Sequence, residues 1–395
     1  MNGHILRGTN IAVDFWKIQG RCEHLIHFLT HLHGDHIVGL TSSWQQAIYC
    51  SEFTSELLRS KYGLPESLVR ICPLNQSIIV PVSDSKSFTV TAYDADHCPG
   101  AVMFYFQGDF GNIFYTGDFR SSSQLLTSCV NVIDQIDTLY LDNTFCSAKC
   151  IFPSRDDCLM RMIEIIRQHA QHEVVIGVRK LGKEILLAKL GVALDETICV
   201  SSTCYQISQL LFTTNVFTTI ALCDKTFRIR TVPMHLISGK FMDKLNLARQ
   251  TVAIIPSAIY TGLDCQPFSR CENIFVVPYS DHSNYLELFE FVSTLRPNKV
   301  LPIVRHFRGP FGACLSDRED MTCFQSVLST DRSVQKIQHK YNSGEHRVHS
   351  FNHDSKTGNI EFCSQNEGLA QSSDHLDCYH LTVCSLSEHM TTNHL

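Results

Sequence analysis

No apolar run in the 395 residues reaches the ~18–20 needed to cross a bilayer, and the opening MNGHILRGTN lacks the apolar core of a signal peptide. The expectation is a soluble intracellular protein with no membrane partner. Cysteines at paired spacing are missing as well. There are 18 of them, scattered singly, and no Cys-x-x-Cys occurs, so a disulfide framework is not expected and the thiols read as reduced. An excess of positive charge is also lacking: Lys and Arg total 33 against 39 Asp and Glu, for a net charge of −6. That balance does not indicate a general electrostatic grip on nucleic acid. A polyanionic substrate would have to be held by a local basic patch or by metal. What the chain has is apolar mass, 44% of residues, enough for a large core in two or three domains.

Along the chain the pattern changes twice. From 11 to about 145 it is mainly short strands: IAVDF (11–15), HLIHFLT (24–30), SFTVTAY (87–93), AVMFYF (101–106) and NIFYT (112–116), the last two flanking the hairpin loop QGDFG. From about 150 helices and strands alternate: a helix over 154–170 behind a Ser N-cap, a buried strand EVVIGV (173–178), then a helix over 182–190. The rhythm continues with strand NIFVVPYS, helix SNYLELFEFVSTLR and strand KVLPIV. Residues 331–395 are rich in Ser, Asn, Gln and His and read as a disordered tail whose histidines are solvated.

The chemistry concentrates in Thr30-His31-Leu32-His33-Gly34-Asp35-His36. His31 and His33 are two apart at the end of a strand, so an extended backbone puts both rings on one side. Gly34 allows a turn, which then presents Asp35 and His36. Imidazoles beside an oxygen–nitrogen pair suit two adjacent divalent metals better than one. His97 follows strand 87–93 and Asp118 follows strand 112–116. Either alone could be a loop residue; together they put every candidate ligand at a strand end, where a β-sandwich gathers loops on one rim. Cys98 is a soft ligand or an inward-packing thiol. Asp14 is a surface residue or, as preferred here, a carboxylate that fixes the ligand loop.

DFW, THLHGDH, DADHCPG and YTGDFR, in this order, resemble the four motifs of the metallo-β-lactamase fold. LYLDNTF with Asp142, YSDHSN with His282 and KVLPIV with Val304 resemble the three signatures of its β-CASP branch, which processes nucleic acids. Val304, where RNA-cleaving members have histidine, is the pattern of the DNA cross-link repair nucleases, and MNGHILRGTNIAVDFW is similar to the start of a 5′ exonuclease among them. The resemblance covers roughly 1–310. It implies an α/β fold, an αβ/βα sandwich (1–150) with an inserted β-CASP domain (151–271) and a return to the sandwich (272–330) before the tail.

The same resemblance implies a zinc-dependent 5′-to-3′ DNA exonuclease in interstrand cross-link repair, with nuclear residence and telomere end processing as further expectations. His31, His33, His97 and Asp118 would hold the first Zn²⁺. Asp35, His36 and Asp118 would hold a second, weaker site, because Val304 adds no donor. Asp35 would also serve catalysis. His282 is a helix-start cap or a general acid; Asp142 orients a histidine or turns a strand end. For a 5′-phosphorylated DNA end, Lys183, Thr144 and Ser280 are the candidate contacts, Lys183 lying in RKLGKE where related nucleases have YSLGKE or similar. KTFRIRTVPMH (225–235) offers further cations and His235. Tyr379 to Val383, YHLTV, matches a telomere-protein docking segment only loosely. An RNA endonuclease and a non-catalytic repair scaffold are the rival readings.

Overall fold

The computed structural model describes residues 3–17, 24–130, 133, 135–213, 216–222, 227–263, 266–305 and 316–329. The tail expected from 331 and the YHLTV segment lie outside these residues.

Three sheets organise the fold. The first has five strands, in order His4–Ile5, Ile11–Val13, Ile26–Phe28, Ile48–Cys50 and Val69–Ile71. The first pair is antiparallel and the others parallel. The second has six, in order Val300–Pro302, Thr138–Leu141, Gly111–Tyr115, Val102–Gly108, Lys86–Asp94 and Ser77–Ser83. These two sheets meet face to face. Phe28 of the first lies 5.2 Å from Phe104 and 4.9 Å from Phe106 of the second, ring centre to ring centre. Val13, Val90, Ala92, Val102 and Tyr115 fill the same core. Alternation explains the choice: along 102–106 one face goes to this core, while Tyr105 turns the other way and meets Phe114 at 6.0 Å.

The third sheet is wholly parallel, in order Phe217–Thr218, Ile198–Cys199, Ile229–Pro233, Glu173–Val178, Thr251–Pro256 and Ile274–Val277. Its central strands EVVIGV and TVAIIP are largely apolar runs, as a sheet covered on both faces requires. Ile274–Val277, which follows the expected boundary at 272, is hydrogen-bonded into this sheet. The chain returns with the helix Tyr285–Leu295, whose Phe291 ring lies 6.2 Å from Phe114 of the second sheet, and then with Val300–Pro302 pairing parallel to Thr138–Leu141.

Helix starts follow the side chains the sequence supplies. Ser154 accepts from the backbone N–H of Asp157 and opens Arg155–Gln168. Asn284 and Glu287 form a capping box at the start of Tyr285–Leu295, placing that helix one turn beyond His282. The helix expected over 182–190 runs Glu184–Leu194, because Gly182 sits at φ +107 and cannot open a helix. The strand expected over 11–15 ends at Val13, where Asp14 turns to φ 53. Ser77–Ser83, Glu52–Tyr62, Ile229–Pro233 and Thr251–Pro256 are elements the sequence reading did not delimit.

Candidate metal centre and active site

Strand ends build this site. Asp14, His31, His97, Asp118, Asp142 and Val304 each follow the carboxyl end of a strand of the two packed sheets by a few residues. Lys86–Asp94 and Gly111–Tyr115 both run antiparallel to the strand between them, so both finish on the same edge. The rim is knitted by backbone bonds, the Val102 N–H to the Thr30 carbonyl (3.0 Å) and the Arg120 N–H to the Ala95 carbonyl (2.9 Å).

Four histidines there each commit one ring nitrogen to an oxygen. Thr30 Oγ1 donates its proton to Asp14 Oδ2 at 2.7 Å, so at 2.9 Å it can only accept from His31 Nδ1. His33 Nε2 faces the Leu181 carbonyl at 3.1 Å, and His97 Nδ1 faces the Asp281 carbonyl at 2.9 Å. His36 Nδ1 faces Asp14 Oδ2 at 2.7 Å. In a neutral ring the opposite nitrogen then carries the lone pair. Three of these nitrogens converge: His33 Nδ1 lies 3.0 Å from both His31 Nε2 and His97 Nε2. Lone pairs this close repel unless a cation sits among them. Around a tetrahedral ion with bonds of 2.0–2.1 Å, nitrogens would stand roughly 3.3 Å apart, close to what is seen. Burial presses the same way, depressing the pKa of His33 and holding those of His31 and His97 well below the usual value.

Asp118 stands under this cluster. Its Oδ2 is 3.7 Å from both His31 Nε2 and His97 Nε2, and its Oδ1 is 3.3 Å from His36 Nε2. Buried Asp118 Oδ1 and His36 Nε2 have no hydrogen-bond partner, which leaves both available to a metal ion. Burial opposes the charge on Asp118, but His36 and His282 outweigh it and hold the carboxyl well below the usual carboxylate range. Burial likewise opposes charging His36; Asp118 and Asp14 prevail and raise its pKa well above the usual histidine value. A metal ion taking up Nε2 would displace that proton. The donor atoms of His31, His36 and Asp118, of His97, Asp118 and His282, and of His31, His33, His97 and Cys98 lie within 4.8 Å of one another. Asp35 stays outside these groups, 58% exposed and 3.8 Å from His36 Nε2. Cys98 is buried, and burial pushes its thiol well above the ordinary value.

Asp14 ties the ligand loop together, accepting from the Thr30 N–H (2.8 Å), the Thr30 hydroxyl and His36. Asp142 does the same for His282. It accepts from His282 Nδ1 at 2.8 Å and from the Thr144 N–H at 2.9 Å. This turns His282 Nε2 toward Asp118, 3.8 Å away. Burial lowers the charging of His282, but Asp142 and Asp118 more than offset it, so its pKa is raised. Ser280 was expected as a hydroxyl facing substrate. Its Oγ instead donates to the His282 carbonyl (2.8 Å) and accepts from the His282 N–H (3.0 Å), so its capacity goes into the turn that holds that histidine.

The cluster opens onto a cavity of about 610 Å³. One wall is the metal rim. The other is the carboxyl edge of the third sheet: Arg179 after Glu173–Val178, Met234 after Ile229–Pro233, Ala258 after Thr251–Pro256 and Tyr279 after Ile274–Val277 all line it. Carboxyl edges of parallel sheets are where such folds bind ligands. Thr144 and Val304 line it too. Lys183 reaches it, paired with Asp281 and lying 4.9 Å over the Tyr279 ring. The 225–235 cations go elsewhere: Arg228 pairs with Glu196 and Arg230 with Glu173, while His235 is exposed and not on this wall. Lys225 lies outside the described residues.

Sequence reasoning missed Asp281, the Leu181 carbonyl, Arg120 and Arg318. Arg120 Nη1 donates to the Ser280 carbonyl (3.0 Å) and Nη2 to Glu287 (2.7 Å), anchoring the loop of His282. Arg318 donates to the Thr144 carbonyl. All four act through a backbone carbonyl, their own or their partner's, which leaves no mark in a sequence; Asp281 was visible beside His282.

Residues 219–307 match the family model described as DNA repair metallo-beta-lactamase. The chain is 39% identical over 307 residues to the 5′ exonuclease Apollo of Mus musculus, covering 77% of this chain and 55% of that one. It is 32% identical over 346 residues to the DNA cross-link repair protein SNM1 of Arabidopsis thaliana, covering 82% of this chain and 69% of the relative. The chain belongs to the DNA repair metallo-β-lactamase family. It spans about half the length of the Mus musculus relative. In shape, this family member is similar to a crystal structure of a protein of unknown function from Enterococcus faecalis V583, with a TM-score of 0.51, 15% identity and coverage of 71% of this chain and 75% of that one.

Proposed function

We propose that this chain is a zinc-dependent exonuclease that removes nucleotides from the 5′ end of DNA and acts in the nucleus in interstrand cross-link repair. The convergence of three unprotonated imidazole nitrogens above Asp118, on the wall of an open cavity, carries the reading. Relatives named 5′ exonuclease and DNA cross-link repair protein supply its polarity and pathway. In this reading residues 1–150 and 272–330 form the metal-binding sandwich and 151–271 the inserted β-CASP unit, except that the strand Ile274–Val277 pairs with the sheet of the insert.

Imidazole and carboxylate donors suit Zn²⁺. His31, His33, His97 and Asp118 would hold one ion; Asp35, His36 and Asp118 would hold a second, more weakly, since Val304 offers no donor atom. When bound, zinc supplies Lewis-acid stabilisation of phosphoryl charge and brings the acidity of water near neutrality. The protein's own residues do the rest. Asp14 keeps His36 and the Thr30 backbone in place. Asp142 holds His282 so that its Nε2 proton points into the cavity, where it can pass to the departing 3′ oxygen. Lys183 and the Thr144 hydroxyl face the place for a terminal phosphate, and Ser280 keeps the His282 turn rigid.

Duplex DNA labelled at its 3′ end, with and without a 5′ phosphate, tests this. Stepwise shortening from the phosphorylated end, lost in Asp35→Ala and His36→Ala, is expected. Wild-type rates in Asp35→Ala would count against it, and internal cuts in labelled RNA alone would favour an RNA endonuclease.

A further inference from the structure

The cavity wall carries four cations, Arg179, Lys183, Arg305 and Arg318. A cation that the protein has not already paired has more charge to give a phosphate, and two of the four are engaged. Lys183 is paired with the Asp281 carboxylate, which also has Arg155 at 4.0 Å. Arg318 is buried, donating to the Thr144 carbonyl and to Cys150 Sγ. Arg305 is exposed but adjoins 306–315, outside the described residues.

Arg179 stands apart. It is exposed, it follows directly on the strand Glu173–Val178 at the centre of the third sheet, and among the described residues it makes no ion pair. The strand fixes its backbone: the Val178 register against Pro233 holds the last residue before it. A guanidinium on a rigid edge, facing the same space as His33, Asp118 and His282, is built to take a phosphate with two parallel N–H bonds. The chain's net charge of −6 sharpens the point, because each uncompensated cation at the groove matters more.

We propose that Arg179 grips a backbone phosphate of the DNA strand lying in this cavity, as a binding residue distinct from the zinc donors and from Lys183. The proposal rests on the nuclease reading above and names one contact within it.

The test is fluorescence anisotropy of a labelled, 5′-phosphorylated duplex across a salt series, in chelator so that no cutting intervenes, paired with digestion assays in zinc. For one lost phosphate contact, the slope of log affinity against log salt becomes shallower by about 0.9, and binding at 0.1 M salt weakens about eightfold. Arg179→Ala should show both changes, with a raised KM and a kcat close to wild type. Arg179→Lys should regain the slope, since it restores the charge, and Arg179→Glu should bind more weakly than Ala. An unchanged melting temperature in each variant establishes that the fold is intact. If wild type binds and digests the DNA while Arg179→Ala keeps its slope and affinity, the assignment of Arg179 is wrong. If wild type neither binds nor digests it, the nuclease reading itself falls.

Discussion

Asp142 and His282 are 140 residues apart, yet Nδ1 and Oδ2 meet at 2.8 Å. The bond does two things: it selects which imidazole nitrogen faces the cavity, and it favours the protonated ring. Deleting the carboxylate's charge separates them. Asp142→Asn keeps an oxygen near Nδ1 but removes the largest influence raising the His282 pKa. A general acid works only while protonated, so activity is lost as pH rises through its pKa. On the proposed role of His282 as general acid, the alkaline limb of kcat against pH in Asp142→Asn should therefore move to lower pH, with metal content unchanged. An alkaline limb at the wild-type position would show that His282 is not the proton donor.

At the level of elements, the site depends on short connections that bring backbone carbonyls to imidazoles. The turn before Glu184–Leu194 supplies the Leu181 carbonyl to His33. Gly182 then has φ +107, and a Cβ there would meet Cys98 Cβ at 3.4 Å and His33 Nε2 at 3.5 Å. Gly182→Ala must accept a strained backbone, at a cost of about 1–3 kcal/mol, or shift the turn off His33. The expected outcome is a lower urea midpoint together with weaker zinc binding by metal titration; a variant equal to wild type in both would show the turn to be adaptable. This also explains what could be read in advance. His31, His33, Asp35 and His36 fall within six positions and announce themselves. Ser77–Ser83 escaped because it is mostly exposed and contains Pro81, which blurs alternation. Thr251–Pro256 is a short apolar run that looks alike whether strand or buried helix, and Ile229–Pro233 mixes apolar residues with Arg230 and Thr231 and ends in proline. Ser280 was visible, but the direction of its hydroxyl was not, because a turn closes through backbone atoms.

For the whole molecule, buried imidazoles set the acid limit. Burial lowers the pKa of His4, His27, His31, His33 and His97, and among the described residues only His36 and His282 are raised. A histidine depressed in the fold takes up its proton more readily when unfolded. Its contribution is complete above pH 6.5 and falls away below it, by up to about 2 kcal/mol per fully depressed ring at pH 5. The raised pair runs the other way, adding stability at low pH that is lost as pH rises through their pKa values. The depressed rings outnumber them. Metal-free protein should therefore show a urea midpoint that falls from pH 7 to pH 5; a flat or rising midpoint would mean that His36 and His282 dominate.

The strand Val300–Pro302 completes a sheet begun before residue 80, and the carbonyl that steadies His97 belongs to Asp281. A ribosome therefore makes the motif 31–36 long before it makes what holds it. A nascent chain that has reached only residue 270 has neither the Asp281 carbonyl nor His282, so its cluster of side chains is unfinished. The metal rim is therefore complete only after nearly every residue of the three sheets has been threaded out.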